Sequence, residues 1–226
     1  MHDAGATSKI VKTTLIQGLG AVIWARAEEQ AKRPAFVLAP QYPEQVVNDK
    51  SEASPLMDVT VRLVDKIAGA FSIDRKRLYA TGQSGGGMMT IAMNIKYPDL
   101  FAASLLVACQ WDASLVAPLT KDKLWIVVSD GDLKAYPGQS AITAKLEQEG
   151  ATVNRAVWNG HWSATEYDRA YQAMAAEGAA VNYVALKSGT VALPGQVDDG
   201  ASNHINSWRI AYDIEGLRAW LFAHHK

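Results

Sequence analysis

Cysteine is nearly missing: Cys109 is the only one among 226 residues. No disulfide can close within the chain, and no cysteine-based zinc site can form. An excess of one charge is missing as well. The 22 Lys and Arg against 23 Asp and Glu leave a formal net charge of −1, so no nucleic-acid partner is expected. Long apolar runs are absent. Ala35–Pro40 and Phe101–Cys109 fall far short of the roughly 20 residues that span a bilayer, so no membrane partner is expected. No basic segment followed by an apolar stretch opens the chain, so no signal-peptide pattern is visible and the compartment stays unassigned. Repeats, low-complexity tracts and charge blocks are also lacking. What remains is 49% apolar and 20% charged, the composition of a folded chain with a sizeable core.

Short apolar runs alternate with helical patterns. Ala35–Pro40, Arg77–Thr81, Phe101–Cys109, Leu124–Ser129, Ala151–Trp158 and Ala180–Leu186 read as strands. Helices are expected after Ser54-Pro55, over Gly86–Lys96, Ser140–Gln148 and Ser163–Glu177, and over a last segment of about Asn206–Ala223. Strands that are apolar throughout, alternating with helices, predict a mostly parallel sheet covered on both faces. Sites in such sheets lie at the carboxyl ends of the strands.

The strand ending at Thr81 runs into Gly82-Gln83-Ser84-Gly85-Gly86, a Gly-x-Ser-x-Gly pentapeptide. At ~7% usage per residue type a chance match somewhere in the chain has a probability of about 0.1. The strand before it and the helix after it add the context of a nucleophile elbow. Such a turn holds the serine in strained backbone geometry, and glycines two residues to either side relieve the crowding. A serine hydroxyl needs a base. Of the five histidines, His224 and His225 end the chain, His2 opens it and His161 follows a strand directly. His204 follows the last strand by a long loop, just before the expected final helix, and is the favoured base. The acid that orients it should close the Leu124–Ser129 strand. Asp132 is favoured there, with Asp130 as the competitor. The order Ser84…Asp132…His204 is the one found in α/β-hydrolases. An oxyanion hole needs two N–H donors: Gly85 supplies one, and Ala4 or Asp3 in the opening His2-Asp3-Ala4-Gly5 supplies the other.

These residues and their neighbours resemble the esterase and "predicted peptidase" branch of the α/β-hydrolase superfamily, related to polyhydroxybutyrate depolymerases and feruloyl esterases. The matching segments are Phe36–Gln41, Ile73–Tyr79, Thr81–Gly87, Tyr97–Ala103, Ser129–Asp132, and His204 with Trp208 and Trp220–Phe222. The resemblance implies one catalytic domain over residues 1–226, a Ser-His-Asp carboxylester hydrolase, and no cofactor. It also implies two or three strands ahead of the oxyanion loop, often with a secretion signal. This numbering begins at that loop, so an N-terminally truncated core is expected. The Ala35–Pro40 strand would then have an unprotected edge, covered by upstream residues or by a second copy of the chain in a homo-oligomer.

Around the site, Gln83, Gln110 and Trp111 are candidate substrate-binding residues, and Trp158 and Trp162 could add an aromatic wall. Cys109 reads as a buried apolar residue. Metal binding is not expected: Asp130 and Asp132 lack further oxygen ligands nearby, and adjacent His224 and His225 diverge by ~100° on a helix. The expectation is therefore a serine esterase for short-chain or aryl esters, working through an acyl-enzyme. The alternatives are a serine peptidase of the same fold and a catalytically silent binding domain or fragment.

Overall fold

Strands that are apolar on both faces need cover on both, and the fold supplies it. The structure is a computed structural model that describes residues 1–226. After three short helices, α1 (Thr13–Ile16), α2 (Leu19–Val22) and α3 (Ala27–Lys32), comes the longer α4 (Leu56–Ala70). The alternating part then runs β1 (Tyr79–Gln83), α5 (Gly85–Lys96), β2 (Ala103–Val107), β3 (Leu124–Ser129), α6 (Ala135–Gln148), β4 (Val153–Trp158), α7 (Ala164–Ala176) and β5 (Val181–Leu186). Helices α8 (Gly200–Asp213) and α9 (Glu215–Phe222) close the chain.

The five strands form one parallel sheet in the order β1-β2-β3-β5-β4. Strands β2, β3 and β5 are buried along their whole length, as inner strands under two helical layers must be. The order also explains the layers. The chain steps one way along the sheet through α5 and α6, then back from β4 to β5 through α7. Right-handed crossovers therefore put α5 and α6 on one face and α7 on the other. Helix α7 packs there against α9, while α8 and α9 lie over β2 and β3. The core is aromatic at its centre: buried Trp125 of β3 meets Trp158, Tyr171 and Trp220 at centroid distances of 6.3, 5.6 and 5.4 Å.

A buried ion network ties the N-terminal segment to the C-terminal helix. Buried Glu29 of α3 accepts from Arg33 Nε at 2.5 Å and from Arg218 Nε of α9 at 2.9 Å. Glu215 receives the second arm of each arginine at 2.7 Å.

Three expectations are corrected. Ala35–Pro40 is not a strand; it runs unpaired, with Phe36, Val37 and Leu38 exposed. An extended segment becomes a strand only beside another, and here Gln30 takes the Ala35 backbone instead, through Ala35 O at 3.0 Å and Ala35 N at 3.2 Å. The sheet edges therefore belong to β1 and β4. On β1, the Met1 amino group donates to Thr81 O at 2.5 Å. The expected final helix is two helices, broken where Ile214 turns to φ −69°, ψ 111°. Helix α8 also begins earlier than expected, so His204 lies inside it. Helix α6 starts at Ala135 and carries Pro137 in its first turn, where the missing N–H breaks no helical bond.

Candidate active site

The pentapeptide forms a sharp strand-to-helix turn. Ser84, between β1 and α5, sits at φ 50°, ψ −123°. Left-handed or related backbone costs a non-glycine residue on the order of 1–3 kcal/mol, so the surroundings must hold it. They do so from both sides: Ser84 N donates to Val107 O at 2.9 Å, and Ser84 O accepts from Met88 N at 3.0 Å. The flanking glycines are sterically required. A Cβ on Gly82 would lie 2.2 Å from the Gly86 carbonyl carbon, and one on Gly86 would lie 2.1 Å from Met1 O. The turn and the opening loop are thus packed backbone to backbone.

Three side chains converge, from the end of β1, the loop after β3 and the first turns of α8. Ser84 Oγ lies 3.0 Å from His204 Nε2, and His204 Nδ1 lies 2.5 Å from Asp132 Oδ2. Asp132 is buried and its other oxygen accepts from the N–H groups of Lys134 at 3.0 Å and Ala135 at 2.9 Å. Burial opposes its ionisation. The hydrogen bonds from His204 and from Ala135 and Lys134 outweigh that and hold the carboxyl below its ordinary value. Asp130 faces elsewhere, accepting from Ser188 N at 2.5 Å. The His204 ring stands edge-on to Trp208 at 5.2 Å.

Asn203 next to His204 was not singled out from sequence. Its Oδ1 accepts from Ser129 Oγ at 2.5 Å, and its Nδ2 donates to Asp198 at 2.6 Å and to Asp199 O at 2.8 Å. It pins the start of α8 to the end of β3. No local spacing pattern marks such a residue, because its partner lies 74 positions away.

The opening loop reaches the elbow. The position of a Cβ on Gly85 is 3.2 Å from Ala4 N, and Ala4 and Gly85 line the same cleft as Ser84. Asp3 is excluded as a donor by its own bonds. Its N–H donates to Gln17 Oε1 at 3.1 Å, and its carboxylate caps Ala6 N at 3.0 Å. The buried His2 ring holds the loop: Nδ1 meets Asp3 O at 2.6 Å and Nε2 accepts from Tyr42 N at 3.1 Å. Burial lowers the His2 pKa, favouring this neutral, bridging form.

Ser84 and His204 open into a cleft of about 580 Å³, shared with Ala4, Gly85, Gln110 and Lys134. Of the candidate substrate contacts, only Gln110 lines it. Gln83 is buried against Gly20, and Trp111 belongs to the core. Trp158 and Trp162 pack on each other and on Tyr167 instead of forming a cleft wall. The turn around Val47–Asp49 supplies a wall that sequence reading missed. His161 is exposed and apart from the cleft, and the His224 ring packs on Trp220 at 4.5 Å instead of lying free. Cys109 is fully buried, and burial pushes its thiol up to about 12, so it stays protonated and unreactive.

The parallel sheet, the two helical layers and a strained serine at the end of β1 define an α/β-hydrolase fold. Known proteins agree. Residues 45–125 match the prolyl oligopeptidase family. A 47-residue stretch is 43% identical to poly(3-hydroxyalkanoate) depolymerase C of Paucimonas lemoignei, covering 21% of this chain and 11% of that protein. The crystal structure of a thermostable esterase superposes on the whole chain with a TM-score of 0.79 at 22% identity. The chain spans 53% of that esterase's length. The solved structure shows the fold, and the two sequence matches each cover well under half of the chain.

Proposed function

We propose that this protein is a serine hydrolase of carboxylic esters. The relay of 3.0 Å from Ser84 Oγ to His204 Nε2 and 2.5 Å from His204 Nδ1 to Asp132 Oδ2 carries the reading. With Nδ1–H donating to the ionised Asp132, Nε2 is left as the acceptor that a base needs. Ser84 Oγ attacks the ester carbonyl and its proton passes to His204 Nε2. The tetrahedral oxyanion is met by the N–H groups of Gly85 and Ala4. His204 then protonates the leaving alcohol, and a water attacks the acyl-enzyme with His204 again as base, releasing the acid and restoring Ser84.

Ser84→Ala should abolish turnover of a short-chain aryl ester by about 10³-fold or more, with the circular dichroism spectrum unchanged. A fluorophosphonate should label the wild type and not the variant. Retained turnover in Ser84→Ala, or no labelling of the wild type, would rule the reading out. The match of residues 45–125 to the prolyl oligopeptidase family favours a second reading, hydrolysis of peptide bonds by the same groups. Parallel assays on acyl esters and blocked peptide amides separate the two.

A further inference from the structure

Two donors at the cleft wall converge on a single oxygen. Lys134 Nζ lies 2.7 Å from Asp49 Oδ1, and Gln110 Nε2 donates to the same atom at 3.1 Å. All three residues line the cleft that holds Ser84 and His204. The donors stand on the loops that follow β2 and β3, at the reactive end of the sheet. The carboxylate comes from the opposite side, at the tip of a turn closed by the Val47–Ala53 bridge. The turn keeps its shape without Asp49: Asn48 Oδ1 accepts from the N–H groups of Lys50 at 3.0 Å and Glu52 at 3.2 Å, and Ser51 Oγ accepts from Asp112 N at 2.8 Å.

The Asp49 side chain is therefore an ornament on a turn that other bonds hold. It is 68% exposed and Lys134 62%, so water competes for both and the pair is weak. An ammonium and an amide N–H₂ aimed at one carboxylate oxygen are the donors that would bind a carboxylate brought by a ligand. Asp132, the other carboxylate lining the cleft, is buried and committed to His204, so it does not compete for Lys134.

We propose that Lys134 and Gln110 form a carboxylate-binding subsite of the catalytic cleft, occupied by Asp49 until a ligand displaces it. The favoured substrates are then carboxylic esters that also carry a free carboxylate. This rests on Ser84, His204 and Asp132 being the hydrolytic machinery. An incoming carboxylate takes both donors while Asp49 swings into solvent, and a neutral ester gains nothing from the exchange.

Two esters that differ only in charge test it: monomethyl adipate, an anion at neutral pH, and dimethyl adipate, each followed by base consumption. The kcat/KM ratio of monoester to diester should fall about fivefold in Lys134→Gln and rise about twofold in Asp49→Asn. An unchanged ratio in both variants overturns the subsite. Calorimetric binding of monomethyl adipate to Ser84→Ala reads the subsite without turnover. Adding Lys134→Gln should weaken it about fivefold, and equal or undetectable binding in both proteins overturns the proposal. A wild type that hydrolyses neither ester, while Ser84→Ala binds the monoester through Lys134, refutes the hydrolase reading and leaves the subsite standing.

Discussion

At the scale of single residues, the site depends on which atoms are already committed. Asp130 and Asp132 are the same residue type, two positions apart. Asp132 faces His204 because its carboxylate also caps the first N–H groups of α6, while Asp130 caps the Ser188 turn. Asp132→Asn keeps the shape but favours the wrong imidazole tautomer, so kcat should fall by about 10³–10⁴-fold with little change in KM. Steady-state kinetics on a neutral ester check this, and an effect below tenfold would count against Asp132 as the orienting group. The meeting of Ser84 and His204 could be read from spacing because the turn around Ser84 has a local signature and histidines are few. The bonds of Asn203 and the engagement of the Asp3 N–H by Gln17 could not, because each joins distant segments.

At the scale of elements, helix and strand positions follow the apolar periodicity, and departures arise where an element lacks its expected neighbour. Ala35–Pro40 has strand composition and no strand beside it, so its backbone turns to Gln30 and its side chains to solvent. The connection into β3 shows the opposite situation, a charge held in a poor place. Burial and the nearby Asp99 push the Asp122 carboxyl from an ordinary 3.8 up to about 6. A carboxyl with a raised folded pKa weakens the fold once ionised. The penalty is absent below about pH 3.8, grows as pH rises, and is complete above about pH 6. Asp122→Asn should therefore raise stability at pH 7 by about 1–2 kcal/mol, after discounting for partial exposure. The gain should vanish near pH 4. Urea unfolding at the two pH values measures it, and an equal gain at both would show that the charge is not the cause.

At the scale of the whole molecule, stability depends on closing the N-terminal segment onto the far end of the chain. Helices α3 and α9 lie 189 positions apart in their Glu29–Arg218 contact, and their charges are buried enough that neither can be removed alone. Burial opposes the charge on Glu29, and its bonds to Arg33 and Arg218 outweigh that and lower its pKa. Arg218→Met leaves Glu29 with one arginine and strips Glu215 of a partner. It should cost about 2–4 kcal/mol, seen as a lower urea midpoint. A loss under about 0.5 kcal/mol would mean that the network contributes little. The loop that carries Ala4 to the elbow is part of this N-terminal segment, so the same variant should lower turnover of a short-chain ester at temperatures where the wild type is still fully active.

The sequence by itself determined the chemistry on offer and its order along the chain: the Gly82–Gly86 turn, the acids after Leu124–Ser129, and His204 after the last strand. Those features are local, because a strained turn, a capping acid or an apolar period is written in adjacent residues. The tertiary structure decided which acid meets the histidine, which N–H stays free beside Gly85, which strands form the edges, and that Asp49 reaches across the cleft to Lys134 and Gln110. Each of those depends on contacts between residues far apart in sequence, and only the packed chain brings them within hydrogen-bonding distance.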